Sequence, residues 1–246
     1  RGKLAQFGRY ARVHHANYSG IRKILSEEEF DSVDGALFDL GLSSIQLDTP
    51  GRGFRMTSSD LLDMRMDSRG GTTAADLING LPESELADII FHYGEERHSR
   101  SISRAIGRAR ERKPIERCDE LAAIVASVVA RRGSGGSRSR QKIHPATRTF
   151  QALRIAVNEE LEALGRTLRD VVDLLRPGAR LVVISFHSLE DRIVKNVFRE
   201  LSSGKDISPS LRLITRKVVR PGVEELTTNP RARSAKLRAA EKQGSE

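Results

Sequence analysis

The sequence predicts an α/β fold built on a mostly parallel sheet, and three observations carry that prediction. The apolar run Ala36-Leu37-Phe38 meets a carboxylate at Asp39 and breaks into a loop containing Gly41, Ser43 and Ser44. Strand-like, helix-like and strand-like patterns follow one another within residues 11–40. A second apolar run, Leu181–Ile184, comes after a long amphipathic stretch and ends in Ser185-Phe186-His187-Ser188. Short apolar runs bounded by turns read as buried parallel strands, and strand–helix–strand units imply parallel pairing. In such sheets ligands gather at the carboxyl ends of the strands. Asp39 and the 185–188 loop are therefore expected at one rim. From the residues alone, Asp39 serves equally well as a cap for the turn that follows it.

Taken in order, residues 11–16 read as a strand and Asn17-Tyr18-Ser19 as the turn after it. Ile21–Phe30 reads as a helix whose first turn follows Ser19, and Val33–Leu40 as the next strand. Residues 60–69, DLLDMRMDSR, read as an amphipathic connector or as a border of the catalytic mouth. Two short helical patterns follow within residues 72–94, started by Thr73 and by Pro82-Glu83. Arg100, Arg104, Arg108 and Arg112 recur every four residues, along one helix face, until Pro114 ends that helix. Leu121–Ala130 is an apolar helix, and residues 131–140, RRGSGGSRSR, form a basic loop. A long helix over 149–175 carries Phe150, Leu153, Val157, Leu161, Leu164 and Leu168 on one face, and Pro177-Gly178 stops it. Another helix spans 189–201, and residues 211–219 and 236–242 read as the last strands. The expected division is a core over 1–70 and 143–246, with a helical, basic insertion over 71–142.

Composition narrows the function classes. The chain has 246 residues, a net charge of +9 and a single cysteine, Cys118. One cysteine excludes an internal disulfide framework and a cysteine-rich zinc site, and suits a reducing cytoplasm. It also argues against a covalent cysteine mechanism. No apolar run approaches the length of a membrane span, and the six histidines are too scattered to suggest a metal site. Residues 97–142 hold 13 Lys and Arg against 4 acids, and the remainder balances at 29 against 29. A neutral body with one basic segment points to a local polyanion contact, and phosphate contact gives affinity and salt dependence without sequence choice.

Seven strings carry a family resemblance. DLGLSSIQLD, GRGF and LDMRMD are followed by GEERHSRSISRAI, HPATRTFQALRIAVNEEL, SFHSLEDRIVK and NPRARSAKLRAAEK. Together they resemble the MraW, or RsmH, family of bacterial methyltransferases that modify N4 of a cytidine in 16S ribosomal RNA. The resemblance runs from about Val13 to Lys242 and implies a Rossmann-like, class I S-adenosyl-L-methionine-dependent core with a helical insertion. It implies donor contacts at Tyr18, Asp39 and Gln46, with His187 and Ser188 beside the substrate and Asn158 and Glu159 in support. Its partner would be 16S rRNA in the small ribosomal subunit, with no metal and no membrane; it gives no oligomeric state. The arginine row, with Arg138 and Arg140 in the basic loop, would then contact RNA phosphates. The family plan has a glycine-rich loop after the first strand. None precedes Tyr18, so the expectation is an N-terminally truncated chain lacking two strands and half the cofactor pocket.

The chemistry asked of such a site is in-line methyl transfer to a weak nucleophile. The lone pair of cytosine N4 is delocalised into the ring. An acceptor that takes hydrogen bonds from the amine aims that lone pair and can receive the surplus proton. Asp39 with the following backbone carbonyls is the candidate, holding either the amine or the methionine end of the donor. Other amino-methyltransferases place prolines after this acid, whereas here Leu40-Gly41-Leu42-Ser43-Ser44 follow. A target base must also leave its stack. Two rival functions share these features: methylation of an amino group in DNA, and non-catalytic RNA binding in ribosome assembly.

Overall fold

A computed structural model describes residues 2–132, 144–203 and 210–244. After 3₁₀ turns at residues 2–10 and 18–20 come α1 (Ile21–Glu27), β1 (Val33–Asp39) and α2 (Ser44–Asp48). A helical run follows: α3 (Ala74–Gly80), α4 (Glu83–Gly94), α5 (Ser99–Arg110), α6 (Cys118–Arg132) and α7 (Thr147–Asn158). The chain closes with α8 (Glu160–Leu174), β2 (Leu175–Ser185), α9 (Ser188–Ser203), β3 (Leu211–Leu213), α10 (Val223–Thr228) and β4 (Lys236–Lys242). These elements form two compact units: residues 1–41 with 161–246, and residues 42–160.

The first unit is built on a four-stranded sheet of order β1-β2-β4-β3. β1 runs parallel to β2, and β4 runs antiparallel to both β2 and β3. Leu181 and Val183 of β2 meet Leu164, Leu168, Val171 and Val172 of α8 and Val194, Val197 and Phe198 of α9 in one core. Ala36 and Phe38 of β1 pack against that core, while Gly35, Leu37 and Asp39 share the exposed face, as the two-residue period of a strand requires.

Three sequence expectations change here. Residues 11–16 are not a strand, since a strand needs a ladder partner and none of the described residues pairs with them. Arg12 and His14 instead reach back to Glu28 beyond the end of α1. Pro177 and Gly178 do not merely stop a helix but lie inside β2, where the register jumps from Val33↔Leu175 to Gly35↔Arg180. Gly178 has φ +83 and proline has no N–H to give the ladder, so the irregularity falls where both are cheap. The expected strand over 211–219 is paired only at Leu211–Leu213 and at a bridge between Val219 and Leu237. Between them the Ile214 and Thr215 amides share the Ala239 carbonyl, at 3.0 and 3.1 Å, and Thr215 Oγ1 accepts from the Ala239 amide at 2.9 Å.

The second unit is helical, and its compact bounds, 42–160, are wider than the stretch read from composition. Its core joins Ile78, Leu86, Ile90, Ile102, Ile106, Leu121, Val125, Phe150 and Leu153 to Phe54, Leu62 and Met64 from the loops after α2. Thr73 caps α3 in a box with Asp76, and α4 follows Pro82, as the start signals predict. Gly94 lets α4 approach α7: a Cβ there would sit 2.6 Å from the Arg148 carbonyl oxygen.

The long helix expected over 149–175 is two helices. Glu159 adopts a left-handed conformation at φ 50, and α8 begins one residue later. The break lets Arg154 clasp Glu160 through two hydrogen bonds of 2.8 and 2.9 Å. Residues six apart on a continuous helix point well away from each other.

Candidate active site

β1 delivers Asp39 to the carboxyl end of the sheet, and ladder register puts it opposite Ile184 of β2. The Leu40 amide donates to the Ile184 carbonyl at 3.0 Å, and Leu40 is buried. Gly41 then turns the chain at φ +86, where an L side chain is strained. A Cβ at Gly41 would lie 3.6 Å from the Phe186 ring. The turn after β1 and the turn after β2 are therefore neighbours. The Asp39 side chain is exposed and has no hydrogen-bond or ion-pair partner among the described residues.

Tyr18 stands in a 3₁₀ turn capped by Asn17, whose side chain accepts from the Ser19 amide at 2.9 Å. Its half-buried ring meets Phe38 edge-on, with centroids 5.9 Å apart. Phe38 and Asp39 are successive strand residues and point to opposite faces. Tyr18 thus lines one side of the strand end and Asp39 the other.

His187 and Ser188 follow Ser185 at the end of β2. The Phe186 and His187 amides donate to Glu190 Oε2 at 2.8 and 3.3 Å, and the Glu190 amide donates to His187 Nδ1 at 3.4 Å. This is a reciprocal cap on α9 in which histidine takes the usual serine or threonine position. Because Nδ1 accepts, the neutral ring carries its proton on Nε2, 3.2 Å from Glu190 Oε1 but outside hydrogen-bond geometry. Both side chains are buried, whereas Ser188 at the first helical position is exposed. The sequence reading missed Glu190, although its position three residues after His187 has the spacing of a capping box. It also missed Asp191, whose carboxylate holds Arg238 of β4 at 2.7 Å.

In the helical unit, Ser43 and Gln46 form a second capping box. Gln46 Oε1 accepts from the Ser43 amide at 3.0 Å, which leaves its amide nitrogen without a partner among the described residues. The DMRM turn is clamped from several sides. Asn158 donates to the Met64 carbonyl at 2.8 Å and accepts from the Met66 amide at 2.7 Å. Arg52 donates to the carbonyls of Arg65 and Met66 at 2.6 and 3.0 Å. Met64 is fully buried with φ 59, a conformation costly for a side chain of its size and one that persists only where its surroundings over-determine it. Asp63 accepts two hydrogen bonds from the Arg65 guanidinium, which hold its carboxyl below the usual range.

Cys118 is buried against the carbonyls of Gly53 and Leu61, and burial pushes its thiol up to about 12. At neutral pH it is a small apolar side chain and not a nucleophile.

Arg100, Arg104 and Arg108 are exposed along α5, and Arg112 is exposed just beyond the helix end. Arg104 lies 3.7 Å from Glu83, while the other three have no acidic partner among the described residues. Arg110 turns inward and donates to the Ile78 carbonyl at 2.6 Å. Arg138 and Arg140 lie outside the described residues. No helix among the described residues is long and apolar enough to cross a membrane.

Comparison with known proteins gives one consistent result. The chain is 48% identical over 254 residues to the ribosomal RNA small subunit methyltransferase H of Syntrophobacter fumaroxidans, covering 99% of this chain and 78% of that protein. The protein of the same name from Geobacter sulfurreducens is 50% identical, with 98% and 80% covered. That from Methylobacterium sp. is 50% identical, with 97% and 72% covered. The profile of the MraW methylase family matches residues 1–243, and the chain belongs to that family.

Proposed function

We propose that this chain transfers a methyl group from S-adenosyl-L-methionine to the exocyclic N4 of a cytidine in the decoding region of 16S rRNA. The observation that carries the reading is the Asp39 carboxylate at the end of β1, without a partner among the described residues, on the opposite face of the strand from the Tyr18–Phe38 aromatic pair and at the same sheet end as the turn that leads to His187 and Ser188. The residues fit the donor. A half-buried aromatic edge suits a purine, and an open carboxylate suits a cationic or amine group. When bound, S-adenosylmethionine supplies the methyl on a sulfonium.

Asp39 accepts hydrogen bonds, either from the cytosine amine or from the amino end of the donor. In the first case it also takes the proton that N4 sheds as its bond to carbon forms. His187, committed to capping α9, positions the turn that presents the Ser188 hydroxyl. The arginines of α5 hold phosphates flanking a base turned out of its stack. Domain bounds of 1–70, 71–142 and 143–246 assign RNA grip to the middle segment and chemistry to the flanking ones.

The test is methyl transfer to small ribosomal subunits lacking the modification, with duplex DNA as the competing substrate and mass spectrometry of the cytidine. The expected product is N4-methylcytidine in rRNA. Transfer only to DNA would establish the rival enzyme. RNA binding with no donor binding would establish an assembly factor. Asp39→Ala is expected to lower kcat/KM by about 10²-fold or more without shifting the melting temperature, because its side chain is exposed and bonded to none of the described residues. Full activity of that variant would dismiss its role.

A further inference from the structure

We propose that the excursion joining β3 to β4 is a second RNA-phosphate contact, at the same strand-end rim as Asp39. The inference rests on the rRNA methyltransferase reading and adds a surface in the sheet unit that α5 does not include. Residues 214–236 carry Arg216, Lys217, Arg220, Arg231, Arg233 and Lys236 against only Glu224 and Glu225.

Register places this excursion. Asp39 pairs with Ile184, Ile184 with Leu237, and Leu237 bridges Val219. These four residues form one row across the sheet, and with strands about 4.8 Å apart it spans about 14 Å. Arg220 follows directly on that row, and Lys236 pairs with Ser185, the last residue of β2. Arg233 comes three residues earlier, in the 3₁₀ turn Pro230–Ser234, which is pinned to the unit by buried Ala232. Pro230 presets the backbone of that turn, so less conformational freedom is lost when a ligand binds.

The charge is available. Arg216, Lys217, Arg220 and Arg233 are exposed and have no carboxylate partner among the described residues. Elsewhere in the unit Arg22, Arg169, Arg176, Arg212 and Arg238 each close on an acid at 2.6–2.7 Å. Basic side chains left open on the same rim as an open carboxylate, with Arg220 about 14 Å along the row from it, match the phosphodiester backbone of a base that arrives there. The guanidinium fork suits phosphate oxygens, and the sequence-independent contact needs no base readout.

The experiment compares the protein with Arg216→Gln/Lys217→Gln/Arg220→Gln/Arg233→Gln and with the smaller variant Arg220→Gln/Arg233→Gln. All four side chains are exposed, and melting curves check that the variants fold. Binding to small-subunit rRNA is measured across salt concentrations, together with KM for RNA and kcat. The expected result for the fourfold variant is a salt slope lower by about 3, with KM for RNA raised tenfold or more and kcat nearly kept. The double variant loses about half that slope. A slope and KM equal to those of the unaltered protein overturn the proposal. If neutralising Arg100, Arg104 and Arg108 lowers the slope in the same assay, that failure leaves the methyltransferase reading standing. Failure of the unaltered protein to methylate rRNA sinks both. Polyglutamate bound as tightly as rRNA, and released by the same substitutions, would reassign the surface to an acidic protein and overturn the proposal.

Discussion

In the sheet unit, Asp39 is placed by backbone register. Its strand is pinned residue by residue to β2, and Leu40 adds a further bond to Ile184 just beyond the strand. In the helical unit, the turn at residues 63–66 is placed by side chains. Asn158 and Arg52 between them bond backbone groups of Met64, Arg65 and Met66, and Met64 is held in a strained conformation. A ladder spreads positioning over many peptide groups and tolerates most side-chain changes. A clamp concentrates it in two residues, so single substitutions should expose it.

The largest expected effect tests whether one helical stripe serves two cores. Leu153 and Leu168 are each fully buried, the first in the helical core and the second against β2 and α9. Leu153→Ala and Leu168→Ala should each cost about 2–5 kcal/mol. Hydrogen exchange should localise the first loss to α4 and α7 and the second to β2 and α9. Equal loss in both units from either change would erase the distinction.

Gly53→Ala should cost about 3 kcal/mol or more, since a Cβ there would lie 2.6 Å from the Asp63 amide nitrogen at a backbone φ of +72. Denaturant midpoints measure it, and a loss below 1 kcal/mol would mean that the turn relaxes freely. Asn158→Ala removes both partners of the Met64 and Met66 backbone groups and should cost about 2–3 kcal/mol. The Met66 amide should then lose its exchange protection, while a ladder amide such as Leu40 keeps its own.

The smallest effect is in acid. Arg65 lowers the carboxyl of Asp63, so the folded state binds that proton less readily than the unfolded chain. The stability this contributes is present above the ordinary value of 3.8 and fades as pH falls through the lower folded value. Asp63→Asn should flatten that part of the acid limb. Glu241, lowered by Arg212 in the sheet unit, works in the same direction, so Glu241→Gln gives the matching control.

Legibility followed the range of the forces involved. Caps at Thr73 and Pro82, the apolar run into Asp39 and the helix after His187 are set within a few residues, and sequence reasoning found them. The break at Glu159 escaped it. The stripe from Phe150 to Leu168 keeps helical spacing straight through the break, and only Arg154, Glu160 and the distant Met64–Met66 turn reveal why the helix stops. The strand expected over 11–16 failed for a related reason. Strand propensity says what a segment tolerates, while a ladder needs a partner that propensity does not supply.

By itself the sequence determined the alternation of apolar runs and turns, the residue types at the candidate site and the family to which the chain belongs. All of these are written in short, contiguous strings. Tertiary structure alone decided that β4 runs antiparallel beside β2, which arginines face acids and which remain open, and that Asn158 clamps the turn at Met64 and Met66. Those outcomes depend on groups tens to hundreds of residues apart meeting within a few ångströms, and no local spacing encodes such a meeting.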